Sequence, residues 1–185
     1  MSACRLVLVR AAIVVALPAC GRLGFDTAPL IGDDALSDAA PARDAALPSM
    51  ALVKKTDAPD WTPLTGPGLG LPYGMLVWEP RGPRFQFEVE AWGLVPGESY
   101  TLIQYIDPWP GNPATDLAAA TVDDAGHLAI AGAYELDRDL TTTTGKVWLV
   151  PSAFIDTAVD RMVAWDVTAI FFELDFVVYD DTDVP

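Results

Sequence analysis

The alternation of apolar and polar residues predicts β-strands along the chain after Met50. The clearest case runs from Phe85 to Ala91, where apolar and polar residues alternate strictly, as in a strand with one face on a core and the other in water. Tyr73 to Glu79 is a second predicted strand, and the tract from Pro80 to Pro83 is rich in turn-forming residues. These segments together predict a β-hairpin.

Six further strands are predicted: Ser99 to Ile106, Leu117 to Val122, His127 to Leu136, Lys146 to Val150, Arg161 to Asp166 and Phe171 to Tyr179. The turn Asp123 to Gly126 predicts a hairpin between the second and third of these, with glycine at a positive φ. The consecutive apolar residues of Lys146 to Val150 indicate a strand buried on both faces.

The connections between these strands are rich in proline. Asp107 to Asp116 contains three prolines, which cannot donate to a strand ladder, so this segment is predicted to be a loop. Helix is expected only as a single turn around Ala153 to Asp160. The pattern predicts an all-β fold of about seven to nine short strands, and proline-rich connections favour a sandwich over a barrel.

One turn resembles a motif of a known fold family. Gly93 to Tyr100, with the sequence GLVPGESY, is similar to the Gly-Leu-x-Pro-x-x-x-Tyr corner of fibronectin type III and related immunoglobulin-like domains. The resemblance implies an immunoglobulin-like antiparallel β-sandwich in which the Tyr100 hydroxyl bonds back to the turn. About 80 residues follow Tyr100, more than in fibronectin type III, so the strand topology is expected to differ.

Two other segments resemble secreted domains of prokaryotes that have no assigned activity. They are WLVPS at Trp148 to Ser152 and YDDTD at Tyr179 to Asp183. This resemblance implies an uncharacterised secreted β-sandwich domain and carries no expectation about chemistry.

The N terminus has the features of an export signal. Arg5 and Arg10 precede an apolar run from Ala11 to Leu17, which is too short to span a bilayer but suits the core of a signal peptide. The run ends in Leu-Pro-Ala-Cys, which resembles the lipobox of bacterial lipoproteins. That resemblance implies cleavage before Cys20, a lipid on Cys20 that anchors the protein to a membrane, and, because Gly21 is not aspartate, the outer membrane. The alternative is an ordinary signal peptide cut elsewhere.

The segment after the lipobox is predicted to be a tether. Thr27 to Ser49 is rich in Ala, Asp and Pro and has no aromatic residue, so it cannot bury enough surface to offset the entropy of ordering. The expected organisation is a lipoprotein signal peptide over residues 1–19, a lipidated cysteine with a disordered tether over 20–49, and a β-sandwich domain over 50–185.

Charge and cysteine content exclude several functions. The formal net charge is −15, and it becomes −17 once Arg5 and Arg10 are removed with the signal peptide. Nucleic-acid binding needs clusters of Lys and Arg, so nucleic acid is excluded as a partner. Cys4 and Cys20 are the two cysteines, so the predicted domain has no disulfide, CxxC zinc site or thiol nucleophile.

The residues that nucleophilic catalysis requires are missing. The chain has one histidine, His127, directly after a predicted turn, and no GxSxG sequence surrounds Ser99 or Ser152. We therefore expect a protein that is not an enzyme and has no catalytic residue. A carboxylate-dependent hydrolase stays as an alternative, and it would need two acids at a defined separation in a cleft.

Calcium is the cofactor that the acidic residues could bind, because it takes six to eight oxygen ligands from carboxylates and carbonyls. No cluster has EF-hand spacing, so solvated turns are the default interpretation and calcium is the alternative. The C-terminal cluster is the preferred candidate, and no other cofactor is expected. The candidate ligands are Asp180, Asp181 and Asp183, then Asp123 and Asp124, then Asp107 with Asp116.

Three tryptophans are candidates for ligand binding. Trp109 lies in the proline-rich loop, where a large ring is expected at the surface, and it would form a sugar-stacking platform with Trp61 or Trp165. The interpretation that we favour over sugar stacking is that Trp109 packs over the end of the sheet, held by Pro108 and Pro110.

The expected function is interaction outside the cytoplasm. The leading hypothesis is a non-enzymatic, lipid-anchored protein of the cell envelope, periplasmic or surface-facing, whose exposed loops contact another protein or an envelope polymer. The alternative is a carbohydrate-binding module that uses the loop tryptophans, in which Trp109 would form a flat exposed strip with Trp61 or Trp165. Trp78, Trp92 and Trp148 lie in predicted strands and are assigned to the core.

Overall fold

The computed structural model describes residues 46–184, and this part of the chain is almost entirely β-structure. The predicted signal peptide, Cys20 and most of the predicted tether lie outside the described residues. Within 46–184, no helix has the length and apolar character needed to cross a bilayer. The elements are β1 Ser49–Val53, β2 Tyr73–Trp78, β3 Arg81–Gly82, β4 Phe85–Trp92, β5 Ser99–Tyr105, β6 Ala114–Thr121, β7 His127–Tyr134, β8 Lys146–Pro151, a 3-10 helix Ser152–Phe154, β9 Ile155–Asp156, β10 Arg161–Met162, β11 Phe172–Glu173 and β12 Asp180–Asp181.

Two antiparallel sheets pack against each other. The larger has the strand order β11-β1-β2-β4-β7, and the smaller has the order β6-β5-β8. Seven strands of five or more residues form the bulk of both sheets, and the other five strands have two residues each. The predicted all-β sandwich is therefore confirmed.

The hairpin predicted from the alternating pattern is present. Phe85, Phe87, Val89 and Ala91 of β4 are buried while the residues between them are exposed. β4 pairs antiparallel with β2 along its length. Burial of every second side chain fixes this register, because a shift of one residue would expose the whole apolar set.

The second predicted hairpin is wrong. β6 pairs with β5 and β7 pairs with β4, so the turn from Asp123 to Gly126 carries the chain from one sheet to the other. Gly126 has the expected positive φ of 78°, and the Asp123 carboxylate accepts the backbone N–H groups of Ala125 and His127. The local turn was recognisable, but the pairing partners were not, because both flanking strands send apolar residues into the core between the sheets.

The smaller sheet is covered on both faces, which explains the apolar run in β8. Val147 and Leu149 point into the core shared by the two sheets, whereas Trp148 and Val150 belong to a second apolar cluster on the other face. The members of this second cluster are Ile103, Tyr105, Ala114, Trp148, Val150, Met162, Ile170 and Phe172. The buried strand predicted for this segment is confirmed.

Several boundaries differ from the predictions. β1 was not predicted, and it includes Ser49, which had been assigned to the tether. Ala114–Asp116, assigned to the proline-rich loop, belongs to β6. The two predicted C-terminal strands shorten to β10 and β11, and β12 follows the second of them and was not predicted. The helical turn is the 3-10 helix that begins at Ser152.

Candidate functional site

A cleft of about 650 Å³ with a largely aromatic wall opens beside the second apolar cluster. We call it the aromatic cleft. Next to it, Leu149 of β8 forms an isolated antiparallel bridge with Phe171, the residue before β11, with N–O distances of 3.0 and 2.9 Å. The residues that line the cleft are Lys55, Trp61, Tyr105, Asp107, Trp109, Lys146, Trp148, Trp165, Phe172 and Glu173.

Trp61 lies in a loop whose base is closed by hydrogen bonds between its two sides. Thr56 and Thr62 exchange two hydrogen bonds of 2.8 Å, one between backbone atoms and one from the Thr62 N–H to the Thr56 hydroxyl. The Leu64 N–H donates to the Lys54 carbonyl at 2.8 Å. These bonds close the base of the loop, so Trp61 projects from a defined position although its own φ is 45°.

Trp109 projects from the connection between β5 and β6. The Met162 N–H donates to the Pro110 carbonyl at 3.1 Å, which joins this loop to β10. Gly111 has φ 73°, and a Cβ at that position would lie 2.5 Å from the Tyr105 ring. Only glycine lets the loop approach Tyr105 this closely, and this close approach positions Trp109 at the mouth of the cleft.

Trp165 is the central ring of the aromatic wall. Its centroid lies 5.4 Å from that of Trp109, 6.3 Å from Trp61, 5.9 Å from Trp148 and 5.9 Å from Phe172. The adjacent turn is held by Asp166, whose carboxylate accepts the backbone N–H and the hydroxyl of Thr168.

The three surface rings are packed edge to face and do not form a flat strip. The ring planes of Trp61 and Trp109 lie at 89° and 78° to that of Trp165. The three residues remain 38%, 47% and 40% exposed for Trp61, Trp109 and Trp165. Edge-to-face contacts at these distances stabilise the cluster, and all three partly exposed rings line the cleft.

The inner part of the cleft is buried and rigid. Trp148 stacks on Tyr105 with centroids 4.0 Å apart, and it meets Phe172 edge to face at 5.2 Å. Burial raises the pKa of Tyr105 to about 12, so its hydroxyl is protonated at physiological pH. Both of these rings belong to strands, which gives the cleft a preformed base.

Glu173 is the buried acid of the cleft. It is 9% exposed, and burial raises its pKa to about 7 against the opposing effects of its own backbone N–H, Lys55, the Trp148 indole and Lys146. Its Oε2 atom has no hydrogen-bond partner among the described residues, and the same is true of the Trp148 Nε1 atom. An unpartnered buried pair of this kind is unusual in a folded protein.

Two of the three lysines in the chain line the cleft. The Lys55 ammonium donates to the backbone carbonyl of Glu173, and the Lys146 ammonium pairs with the Asp107 carboxylate. Burial, and secondarily Lys146, lower the pKa of Lys55, while Glu173 opposes that shift. The third lysine, Lys54, lies 3.8 Å from the Phe171 ring centroid.

The structure brings together the three tryptophans that the sequence singled out. Trp109 packs on the Trp165 ring and is 47% exposed, but the rings do not form the flat strip expected of a carbohydrate-binding module. Sugar binding by Trp109 stays a prediction. Sequence reasoning missed Glu173, Lys55 and Lys146. The one feature of the sequence that could have indicated the two lysines is that all lysines lie at two places, Lys54 with Lys55 and Lys146. Trp148, assigned to the core, is buried as expected, yet it also lines the cleft.

The predicted calcium ligands do not converge. Among residues 46–184, no group of three or more His, Cys, Asp or Glu side chains is spaced to hold a metal ion. Asp123 accepts turn hydrogen bonds, Asp180 pairs with Arg81 at 3.1 Å, and Asp181 accepts the N–H of Asp183. Asp124 beside Asp123, and Asp183 beside Asp180 and Asp181, do not complete a group of three converging acids in the described part of the chain. Calcium binding stays a prediction.

His127 lies outside the aromatic cleft. Its ring stacks on Trp92 with centroids 5.8 Å apart, and its Nδ1 lies 3.9 Å from an Asp123 carboxylate oxygen. This arrangement belongs to the turn between β6 and β7.

Comparisons with known proteins found no relative of this chain. No family model matches the chain, and neither a curated protein nor a solved structure matches it.

Proposed function

We propose that the protein is a non-enzymatic carbohydrate-binding protein of the cell envelope, and that the aromatic cleft is its binding site. The observation that carries this proposal is the convergence of Trp61, Trp109 and Trp165, each partly exposed, on one cleft. A sugar ring offers an apolar C–H face and a rim of hydroxyls. Exposed aromatic faces beside charged hydrogen-bonding groups suit both parts of such a ligand.

The size of the cleft supports a compact ligand. At about 650 Å³ it lies within the range of small-molecule sites, roughly 300–1,000 Å³. Because the rings meet at right angles, the cleft would enclose one or two sugar units or a chain end. A long chain laid along a flat platform would need coplanar rings.

The ring spacing disfavours an aromatic cage for a cation. Such a cage holds the cation over several ring faces, within about 6 Å of each centroid. Here Trp165 lies 5.4 Å from Trp109 in direct edge-to-face contact, which leaves no space between the rings. Lys55 and Lys146 would also repel a cationic ligand.

The environments of the two acids in the cleft, Asp107 and Glu173, favour ligand binding over glycoside hydrolysis. A glycosidase needs two carboxyl groups that flank the scissile bond. Asp107 is paired with Lys146, and Glu173 is 9% exposed. These environments favour a role for both acids as polar contacts of a bound ligand.

A glycan array tests the proposal. The full-length chain is expected to bind a subset of neutral oligosaccharides, and Trp109→Ala should lower the affinity at least tenfold while leaving the melting temperature within a few degrees. Trp92→Ala is the matched control, because Trp92 is a partly exposed tryptophan that contacts Tyr73 and does not line the cleft. The proposal fails if no saccharide binds, or if Trp109→Ala and Trp92→Ala bind alike.

Protein contact through a second surface is the other candidate function. The loop from Leu64 to Leu71 exposes Leu64, Leu69 and Leu71 by 57%, 65% and 59%. Three exposed leucines within eight residues form a local apolar patch, a feature that is common at interaction sites. Photocrosslinking in cells from position 69 should then give a defined protein adduct. Position 178, where Val178 is 55% exposed and lies outside this loop, should not.

The envelope location in this proposal comes from the sequence alone. The signal peptide would direct export, and the lipid on Cys20 with the tether would then hold the domain at the outer membrane, where envelope polysaccharides are within reach. The strongly acidic chain would be repelled by anionic lipid, so the lipid on Cys20 would supply the attachment.

A further inference from the structure

The inner wall of the aromatic cleft contains one hydrogen-bond donor and one acceptor without partners. The donor is Trp148 Nε1 and the acceptor is Glu173 Oε2, and both atoms are buried. Their residues are 5% and 9% exposed and both line the cleft. Native proteins rarely leave such groups unpaired, so an occupant of the cleft that satisfies both would bind favourably.

We propose that one hydroxyl group of the bound saccharide bridges these two atoms, donating its proton to Glu173 Oε2 and accepting from Trp148 Nε1. This inference rests on the proposed carbohydrate-binding function and makes Glu173 and Trp148 specificity-determining residues. A hydroxyl has one donor and two lone pairs, so it can satisfy both atoms at once. A ligand carbonyl could satisfy only Trp148, and a ligand ammonium only Glu173.

The charges around Glu173 support a carboxylate that accepts a hydrogen bond. The backbone N–H of Glu173, Lys55 from the connection after β1 and Lys146 from β8 all favour the ionised form. The Trp148 indole N–H lies close enough to favour it as well, although it makes no hydrogen bond of normal geometry to the carboxyl group. Burial opposes ionisation and is the larger effect. Asp107, the other acid of the cleft, is paired with Lys146. A hydroxyl that donates to Glu173 therefore adds to the interactions that favour the ionised form.

Binding should depend on pH in a defined direction. The ligand selects ionised Glu173, so affinity is greatest above the pKa of the free protein, which is about 7. It decreases as pH falls through that value, by up to tenfold per pH unit, until the pKa of the complex is reached. A protonated Glu173 that donated to the ligand would give the opposite slope.

Calorimetry with deoxy sugars tests the inference. The probes are a neutral saccharide captured in the array and the set of its single-deoxy derivatives, titrated into the full-length chain between pH 5.5 and pH 8. One deoxy derivative should bind about tenfold more weakly than the parent, the size expected for one charge-assisted hydrogen bond. Glu173→Gln should weaken the parent about tenfold and flatten the pH profile. Trp148→Phe keeps an aromatic wall and should weaken binding about fivefold while the pH dependence remains.

The outcomes separate this inference from the proposed function. If every deoxy derivative binds as well as the parent, or if Glu173→Gln keeps the pH dependence, an ordered water or nothing occupies the position and the bridging hydroxyl is excluded. The proposed function would stand in that case, provided that binding still depends on Trp109. If no saccharide binds, both fall. The melting temperature of Glu173→Gln, whose side chain has the same shape, shows that the variant is folded.

Discussion

Trp61 and Trp165 lie edge to face with their ring centroids 6.3 Å apart and their planes at 89°. One belongs to the connection between β1 and β2, and the other to the segment after β10, so the two are distant in sequence. Their contact, with that between Trp165 and Trp109, turns three separate loops into one surface. The rings support one another, and the loops that carry them are fixed by backbone hydrogen bonds to neighbouring segments.

Substitution of Gly111 should disturb the cleft and the stability together. Gly111→Ala places a Cβ 2.5 Å from the buried Tyr105 ring at a φ of 73°, so we expect a loss of about 2 kcal/mol in the free energy of unfolding and weaker saccharide binding. Urea denaturation measures the first effect and calorimetry the second.

Gly82 provides the control for this prediction. A Cβ there would meet its nearest atom at 3.6 Å, an ordinary contact, and no positive φ is involved. Gly82→Ala should therefore change stability by less than about 1 kcal/mol. Equal effects of the two substitutions would contradict the close approach of the Trp109 loop to Tyr105.

The buried Glu173 should make stability depend on pH. Its pKa is raised from 4.5 to about 7 in the folded protein, so folding takes up a proton between these values. The group destabilises the fold when ionised: its full stability is present below about pH 4.5 and is lost as pH rises through 7. The free energy of unfolding of the wild type relative to Glu173→Gln should fall by about 3 kcal/mol between pH 4 and pH 8.

Urea denaturation of the two proteins at matched pH values measures this difference. Other carboxylates titrate in both proteins and cancel in the comparison. A difference that stays constant with pH would show that Glu173 is solvated in the folded state.

Lipidation at Cys20 is testable independently of the cleft. In a bacterial host, labelled palmitate should be incorporated into the wild type and should be absent from Cys20→Ser, which should also partition into the aqueous phase. Cys4→Ser is the control, because Cys4 lies within the segment expected to be removed. Equal labelling of wild type and Cys20→Ser would contradict the lipobox assignment.

The parts of the fold that the sequence predicted are those set by local period. Phe85 to Ala91 alternates, and β4 buries the predicted side chains. The run from Lys146 to Val150 is apolar throughout, and β8 has apolar layers on both faces. In both cases the burial of a side chain follows from its position along one strand.

The predictions were wrong where strand pairing depends on segments that are distant in sequence. β6 and β7 flank a recognisable turn, yet β6 pairs with β5 and β7 pairs with β4. An antiparallel partner is therefore present for each strand in a different sheet. The sequence allowed us to propose that the three loop tryptophans converge, but it did not reveal that their rings are nearly perpendicular. Glu173 lies within an aromatic C-terminal segment, and no local pattern reveals that its carboxyl is buried beside Trp148.

Indole NMR signals provide the most direct test of a saccharide in the aromatic cleft. In the full-length chain labelled with ¹⁵N-tryptophan, addition of the captured neutral saccharide should shift the Nε1–H signals of Trp61, Trp109 and Trp165. The signals of Trp92 and of Trp78, whose Nε1 donates to the Val178 carbonyl at 3.1 Å, should not move. Shifts confined to Trp78 and Trp92, or no shifts at saturating saccharide, would contradict binding at this cleft.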